Sequence, residues 1–400
     1  MSSDPQSEDL NLTAPFSLGD RRAIAAAITC VSISGFSISL SFPLVSLVLE
    51  SRGVSDTLIG VNTALAGLAS LAIAPFAARL ARQFNPIRVL IVSLIISAAC
   101  LVALPWTPTW AWFPIRFVYG AAASLIFTVG EFWINAAANE ARRGLVMGIY
   151  ASVLSIGFAV GPALLGITGT EGALPFLLGA VAFIASIVPV WMARDVSPPV
   201  HGAPSANFLA FLWIAPTATL AAFIFGAAEQ TGFAFFALFG IRSGLDETSA
   251  ALLLTMVALG NLLLQIPLGL LADRFERTYL LAVCGFFGVL GMLALPYAIA
   301  WLPAAYLLLL FWGGITGGFY TIGLAQLGAR FRGTDLASAN AMFVMLYSLG
   351  MIVGPFGAGV AMQKAGANAL AWFLAVLFAC HFAVALWRSF TAPSSKPGTP

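Results

Sequence analysis

Long runs of apolar residues recur along the chain, separated by short stretches in which polar and charged residues gather. Twelve such runs are countable, at 22–49, 57–79, 87–105, 110–134, 145–168, 173–193, 208–239, 248–272, 278–297, 302–328, 337–362 and 369–388. Each approaches the ~20 residues that a helix needs to cross the hydrocarbon of a bilayer. A lipid-facing backbone has to satisfy its own hydrogen bonds, which a helix does within one segment. A membrane barrel would show short alternating segments, and these runs are continuous. The pattern predicts an all-α membrane protein with 12 transmembrane helices.

Composition points the same way. Of 400 residues, 60% are hydrophobic and 8% charged, against about 25% charged in soluble domains. The net charge of +2 gives no case for a nucleic-acid partner. The basic residues instead mark the two sides of a membrane. With a cytoplasmic N-terminus, 14 of the 18 Lys and Arg fall on the cytoplasmic side. Three (Arg52, Arg242, Lys364) fall outside, and Arg116 lies within a span. Both termini are therefore expected in the cytoplasm. The expected organisation is a cytoplasmic tail over 1–20, a six-helix bundle over 21–194, a linker over 195–207, a second bundle over 208–388 and a tail over 389–400. The linker is rich in Pro and Ser, as in Ser197-Pro198-Pro199 and Pro204-Ser205.

Metal, redox and catalytic chemistry find little support. Cys30, Cys100, Cys284 and Cys380 each stand alone in an apolar run, so neither a metal site nor a cofactor is expected. His201 falls in the linker and His381 is isolated, so no nucleophile–base cluster suggests an enzyme.

The two halves repeat. Thr128-Val129-Gly130 returns as Thr321-Ile322-Gly323, and Gly120 as Gly313. Gly157, Gly161 and Pro162 return as Gly350, Gly354 and Pro355. All these pairs share an offset of 193 residues, and Gly53 matches Gly244 at 191. Parallel repeats of this size suit a carrier that rocks one bundle against another.

Three motifs then carry a resemblance to the major facilitator superfamily, over residues 20–390. The loop Gly269-Leu270-Leu271-Ala272-Asp273-Arg274-Phe275-Glu276-Arg277 is similar to that family's G-x-L-A-D-R-x-x-R signature. Asp273, Arg274 and Arg277 are expected to latch the halves in one state, with Gly269 allowing close helix approach. The first-half counterpart departs from the pattern, with Arg82 at the acidic position and Arg88 beyond it. Glu131 is expected to supply the missing charge in an inverted latch with Arg82 or Arg88; the competing reading is a solvated interfacial carboxylate. Arg116-Phe117-Val118-Tyr119-Gly120 resembles the family's R-x-x-x-G element, tied to coupling in proton-driven members. Arg116 lies close enough to Trp110 that snorkelling to the interface competes with that role. Gly157 to Pro162 resembles the G-x-x-x-G-P element of antiporters and is echoed by Gly350 to Pro355. These six positions are expected either to form a flexing helix or to form tight interhelical seams.

The resemblance implies two pseudo-symmetric six-helix bundles around a cavity lined by helices 1, 4, 7 and 10. Within those helices Glu229, next to Gln230, is the expected proton-binding group, because an ionisable residue inside a membrane marks function. The alternative is a helix-end carboxylate paired with Arg242. Arg116 and Glu229 are expected at similar depth, as a switchable pair. The expected substrate wall holds Ser34, Ser37, Ser41, Tyr119, Phe233, Phe236, Trp312, Thr316, Phe319 and Tyr320. Aromatic faces suit flat or lipophilic ligands. The expectation is a monomeric secondary transporter that moves a small amphipathic or aromatic organic solute, coupled to protons and exporting it. An uptake carrier for a flat heterocycle, such as riboflavin, is the alternative. A membrane receptor is a remote one, because no long interaction segment accompanies the spans.

Overall fold

The computed structural model describes residues 18–138, 143–196 and 210–391. Twelve helices long and apolar enough to span a membrane run through them. They are α1 (Leu18–Ser51), α2 (Asp56–Phe84), α3 (Pro86–Ala103), α4 (Trp112–Ala137), α5 (Arg143–Thr168) and α6 (Leu174–Met192). The second set is α7 (Pro216–Arg242), α8 (Glu247–Arg274), α9 (Arg277–Ala298), α10 (Leu302–Arg330), α11 (Gly333–Ala365) and α12 (Ala369–Thr391).

Helix ends follow local chemistry. The carboxylate of Asp246 accepts hydrogen bonds from the Ser249 amide at 3.0 Å and hydroxyl at 2.7 Å, which caps α8. Those bonds hold the Asp246 carboxyl below its usual range, so the cap persists until pH falls through that lowered value. Glu276 caps α9 by accepting from the amides of Thr278 at 3.0 Å and Tyr279 at 2.6 Å. The predicted run 208–239 is divided: a single turn, Phe211–Ile214, precedes α7. Ala215, at φ −132° and ψ 55°, breaks the helix because a residue before proline is kept out of helical geometry. The predicted tails and linker fall mostly outside the described residues. Residues 18–20 extend α1, and Arg194–Val196 form a 3-10 turn.

The packing repeats like the sequence. In the first bundle α1 packs on α5, α2 on α4 and α3 on α6; in the second α7 packs on α11, α8 on α10 and α9 on α12. The bundles meet where α2 crosses α11 and α5 crosses α8, and these two crossings exchange under the repeat. The most buried spans are α1 and α7, 72% and 89% buried over their most apolar windows, so these two repeat partners form the central axis.

Small residues set these contacts at equivalent places. A side chain at Gly157 would meet the Ser32 carbonyl on α1, and one at Gly350 the Phe223 carbonyl on α7. A side chain at Gly120 would meet Ala66, and one at Gly313 Val257, so α4 on α2 repeats α10 on α8. The glycines of both G-x-x-x-G-P elements thus sit in seams inside each bundle. Pro355 differs: its carbonyl faces Gly60 of α2, across the divide between bundles.

Among the described residues, the ion pairs that join the two bundles lie on one side. On the side away from the linker and the chain ends, Arg242 of α7 clamps the first bundle. It donates to Glu50 at 2.8 Å and to both carboxylate oxygens of Asp56 at 2.8 and 2.6 Å. Thr248 donates to the Gly166 carbonyl at 2.6 Å, and Thr255 to that of Ala159 at 3.3 Å. Gly359 lies against Asp56 on the same far side, and Gly67 lies against Met351 nearer the middle of the helices. On the linker side Asp273 and Arg274 are exposed, and among the described residues neither joins an ion pair. The expected latch is therefore not engaged in this state.

Candidate functional site

Between the bundles lies a cavity of about 490 Å³. Its wall takes residues from α1, α2, α4 and α5 of the first bundle and α7, α8, α10 and α11 of the second. This is twice the number of helices expected. The additional helices bring the hydroxyls of Tyr150 and Tyr347, which the sequence reading left out.

Both carboxylates of the cavity are met by those tyrosines. Tyr347 of α11 donates to Glu229 of α7 at 2.6 Å. Tyr150 of α5 donates to Glu131 of α4 at 2.8 Å. Glu229 stands thirteen residues before Arg242, about 20 Å at 1.5 Å per residue, which places it near mid-membrane. It is not a helix-end partner of Arg242, whose guanidinium is engaged by Glu50 and Asp56. Glu131 stands six residues before the end of α4, about 9 Å from the linker-side surface. Its carboxylate faces the cavity and accepts from Tyr150, and among the described residues no ion pair joins it to Arg88.

The floor of the cavity is aromatic. Phe127 and Phe158 lie 6.4 Å apart, Phe158 and Phe233 5.6 Å, and Phe233 and Phe42 5.7 Å. This chain of rings crosses from one bundle to the other. A second group surrounds Glu229, with Phe225 stacked on Tyr347 at 5.8 Å and tilted against Tyr320 at 5.3 Å. Between the rings the wall also carries polar side chains, among them Thr128, Gln230, Asn261 and Gln265. Gln230 Nε2 and Asn261 Oδ1 are buried without a hydrogen-bond partner and belong to the wall. Ser70 and Ser124 hydroxyls pair at 3.1 Å.

The structure sorts the expected site residues. Tyr119, Glu131, Glu229, Gln230, Phe233, Trp312, Thr316 and Tyr320 all line the cavity. Ser34, Ser37 and Ser41 do not. Their hydroxyls bond the carbonyls of Cys30 at 2.8 Å, Gly179 at 2.8 Å and Ile38 at 2.9 Å, as hydroxyls inside a membrane protein satisfy nearby backbone. Phe319 is buried against Phe378 and His381, towards α12. Phe236 packs on the edge of Trp312, behind the wall.

Arg116 is also displaced from its expected role. It lies four residues into α4, at the far side, and is 3% exposed. Its guanidinium stacks over Phe42 at 3.8 Å, with Tyr119 at 5.5 Å. Phe42 and Tyr119 belong to the cavity wall, while Arg116 does not. Arg116 and Glu229 are at different depths and unpaired, and the cation is held by aromatic faces. Removing the hydroxyl in Tyr347→Phe strips Glu229 of this donor. The expected cost is about 1–3 kcal/mol, read as a lower midpoint in thermal unfolding of the purified protein.

The sequence matches the profile of the Major Facilitator Superfamily over residues 27–246 and 218–400. It is 25% identical over 390 residues to YfkF of Bacillus subtilis, described as an uncharacterized MFS-type transporter, covering 93% of this chain and 96% of that one. YcaD of Salmonella typhimurium, described in the same words, is 25% identical over 282 residues, covering 70% and 72% of the two chains. The fold is similar to that of the nucleoside transporter NupG, with a TM-score of 0.75 at 14% identity, covering 94% of this chain and 100% of that one. It is also similar to a bacterial homologue of the human lysosomal transporter Spinster in an inward-facing, unoccupied conformation, with a TM-score of 0.71 at 14% identity and coverage of 93% and 95%. Twelve helices in two matching bundles, a central cavity and a profile match over most of the chain agree: this protein belongs to the Major Facilitator Superfamily and is a multi-pass secondary transporter.

Proposed function

We propose that this transporter couples proton entry to the export of small amphipathic or aromatic organic molecules. The observation that carries this reading is Glu229, a mid-membrane carboxylate on the cavity wall with Tyr347 donating to it at 2.6 Å. An ionisable group is expensive at that depth and persists where a function needs it. Besides Glu229, the titratable groups on the wall are Tyr119, Glu131, Tyr150, Tyr320 and Tyr347. The carboxylates are the only ones of these whose ordinary range is crossed below neutral pH. The mainly aromatic and aliphatic wall supports a lipophilic substrate. The excess of Lys and Arg on the linker side supports cytoplasmic termini. Relatives in Bacillus and Salmonella support a bacterial cytoplasmic membrane. The cavity would then load from the cytoplasm in the state described, and the far side would open to the exterior.

The test is flux in proteoliposomes, with a substrate taken from a thermal-shift screen. An imposed pH gradient is expected to drive accumulation by the natural chain. Glu229→Gln is expected to lose that stimulation while still exchanging substrate in counterflow. Coupling unchanged in Glu229→Gln would overturn the proposal.

A further inference from the structure

We infer that the cavity selects organic cations, and that Glu131 and Glu229 are the two groups that hold the charge. This deepens the transport reading and rests on the same cavity. Among the described residues the wall carries two carboxylates and no Arg, Lys or His. Arg116, outside the wall on α4, is shielded behind Phe42 and Tyr119. Among the described residues, the side-chain donors are Tyr150 to Glu131 and Tyr347 to Glu229. An ionised carboxylate has about four acceptor positions, so each keeps capacity for a ligand ammonium or a charged ring.

The neighbouring surfaces suit the rest of such a molecule. Phe42, Phe158 and Phe233 form the floor, and Tyr320 stands in the same wall against Phe225 and Tyr347. Aromatic faces attract cations, and more so where water is sparse. An anion would meet two carboxylates with no compensating base among the described residues of the wall.

The two acids also belong to different bundles, Glu131 to the first and Glu229 to the second. Closing the linker side brings the walls of the cavity together. Two empty, ionised carboxylates resist that closure, because like charges in a low-dielectric site repel and each loses hydration. One cation, or protons, relieves the cost. The charged ligand and the proton then compete for the same two groups, which makes exchange a consequence of electrostatics.

The test is equilibrium binding to the purified full chain in detergent. The probes are tetraphenylphosphonium, the smaller cation N-methylquinolinium, and tetraphenylborate, an anion shaped like the first. Saturable binding of at least one cation and none of tetraphenylborate is expected. Removing one partner of a charge pair has large effects, so Glu131→Gln and Glu229→Gln should each weaken the cation by about tenfold or more. Glu229→Asp keeps the charge and should stay within about threefold, which separates lost charge from lost fold. Three results overturn the inference: tetraphenylborate binding as tightly as tetraphenylphosphonium, the double Gln variant binding cations like the natural chain, or neither cation binding. Flux distinguishes the two readings. Gradient-driven transport of a neutral compound without cation binding would leave the transport reading standing and remove this one. Carboxylate-dependent cation binding with no gradient-driven flux would do the reverse.

Discussion

Gly354→Ala is expected to destabilise the protein markedly, and Gly354→Leu to prevent recovery of monodisperse protein. A side chain at Gly354 would meet the Ala227 carbonyl, with Ala227 Cα and Thr231 Oγ1 each at 2.7 Å. These atoms belong to α7, the most buried span, so they have little room to retreat. Two of the three are backbone and cannot rotate away. Overpacking of this kind costs about 1–3 kcal/mol per small intrusion, and leucine intrudes much further. The control is Gly148→Ala. No atom lies within 4 Å of a side chain added at Gly148. Alanine favours a helix over glycine by about 1 kcal/mol, so that variant should be neutral or slightly more stable. Thermal unfolding in detergent checks both. Equal midpoints for the two alanine variants would show that the α7–α11 seam is not tightly packed.

Arg242→Ala is expected to open the far side. Arg242 joins α7 to Glu50 at the end of α1 and to Asp56 at the start of α2. The contact to Asp56 is two-pronged, which matches a planar guanidinium to a carboxylate. The Asp56 side chain is 9% exposed, and those of Arg242 and Glu50 are 29% and 28% exposed. Partial exposure reduces the gain below that of a fully buried pair. A loss of about 1.5–3 kcal/mol remains reasonable, which is roughly a ten- to hundredfold shift between closed and open. The variant also leaves Glu50 and Asp56 facing each other without a cation. Spin labels at Glu171 and Lys364, on the far sides of the two bundles, report the change. Longer distances are expected in Arg242→Ala, with Arg242→Lys intermediate. Unchanged distances would assign closure to the α2–α11 and α5–α8 seams instead.

The spans and the repeat were legible because they are linear properties. Apolar run length, the 193-residue offset and the bias of Lys and Arg need no knowledge of packing. Even the boundary error at 208–216 had a local cause, since Pro216 excludes a helical Ala215. The repeated glycines were visible as well, and the structure places Gly157, Gly161, Gly350 and Gly354 against the backbone of α1 and α7. The candidate site was legible in part. Glu229 stood out because a carboxylate in the middle of an apolar run has few explanations. Glu131 stands out too, but sequence gives its depth along a helix and not the face it presents.

The partners of those carboxylates were not legible. Tyr347 lies 118 residues from Glu229 and Tyr150 lies 19 from Glu131. No spacing rule joins residues on separate helices. The same limit misplaced Arg116. Its depth and motif suggested an acidic partner, whereas the fold supplies Phe42 at 3.8 Å. Ser34, Ser37 and Ser41 failed for a related reason: a hydroxyl in a membrane helix finds a backbone carbonyl before it finds a ligand. The sequence by itself determined the membrane, the helices, the duplication and the presence of costly charges within the spans. Only the tertiary structure decided which charges face the shared cavity, because rotation of each helix about its axis is set by contacts with its neighbours.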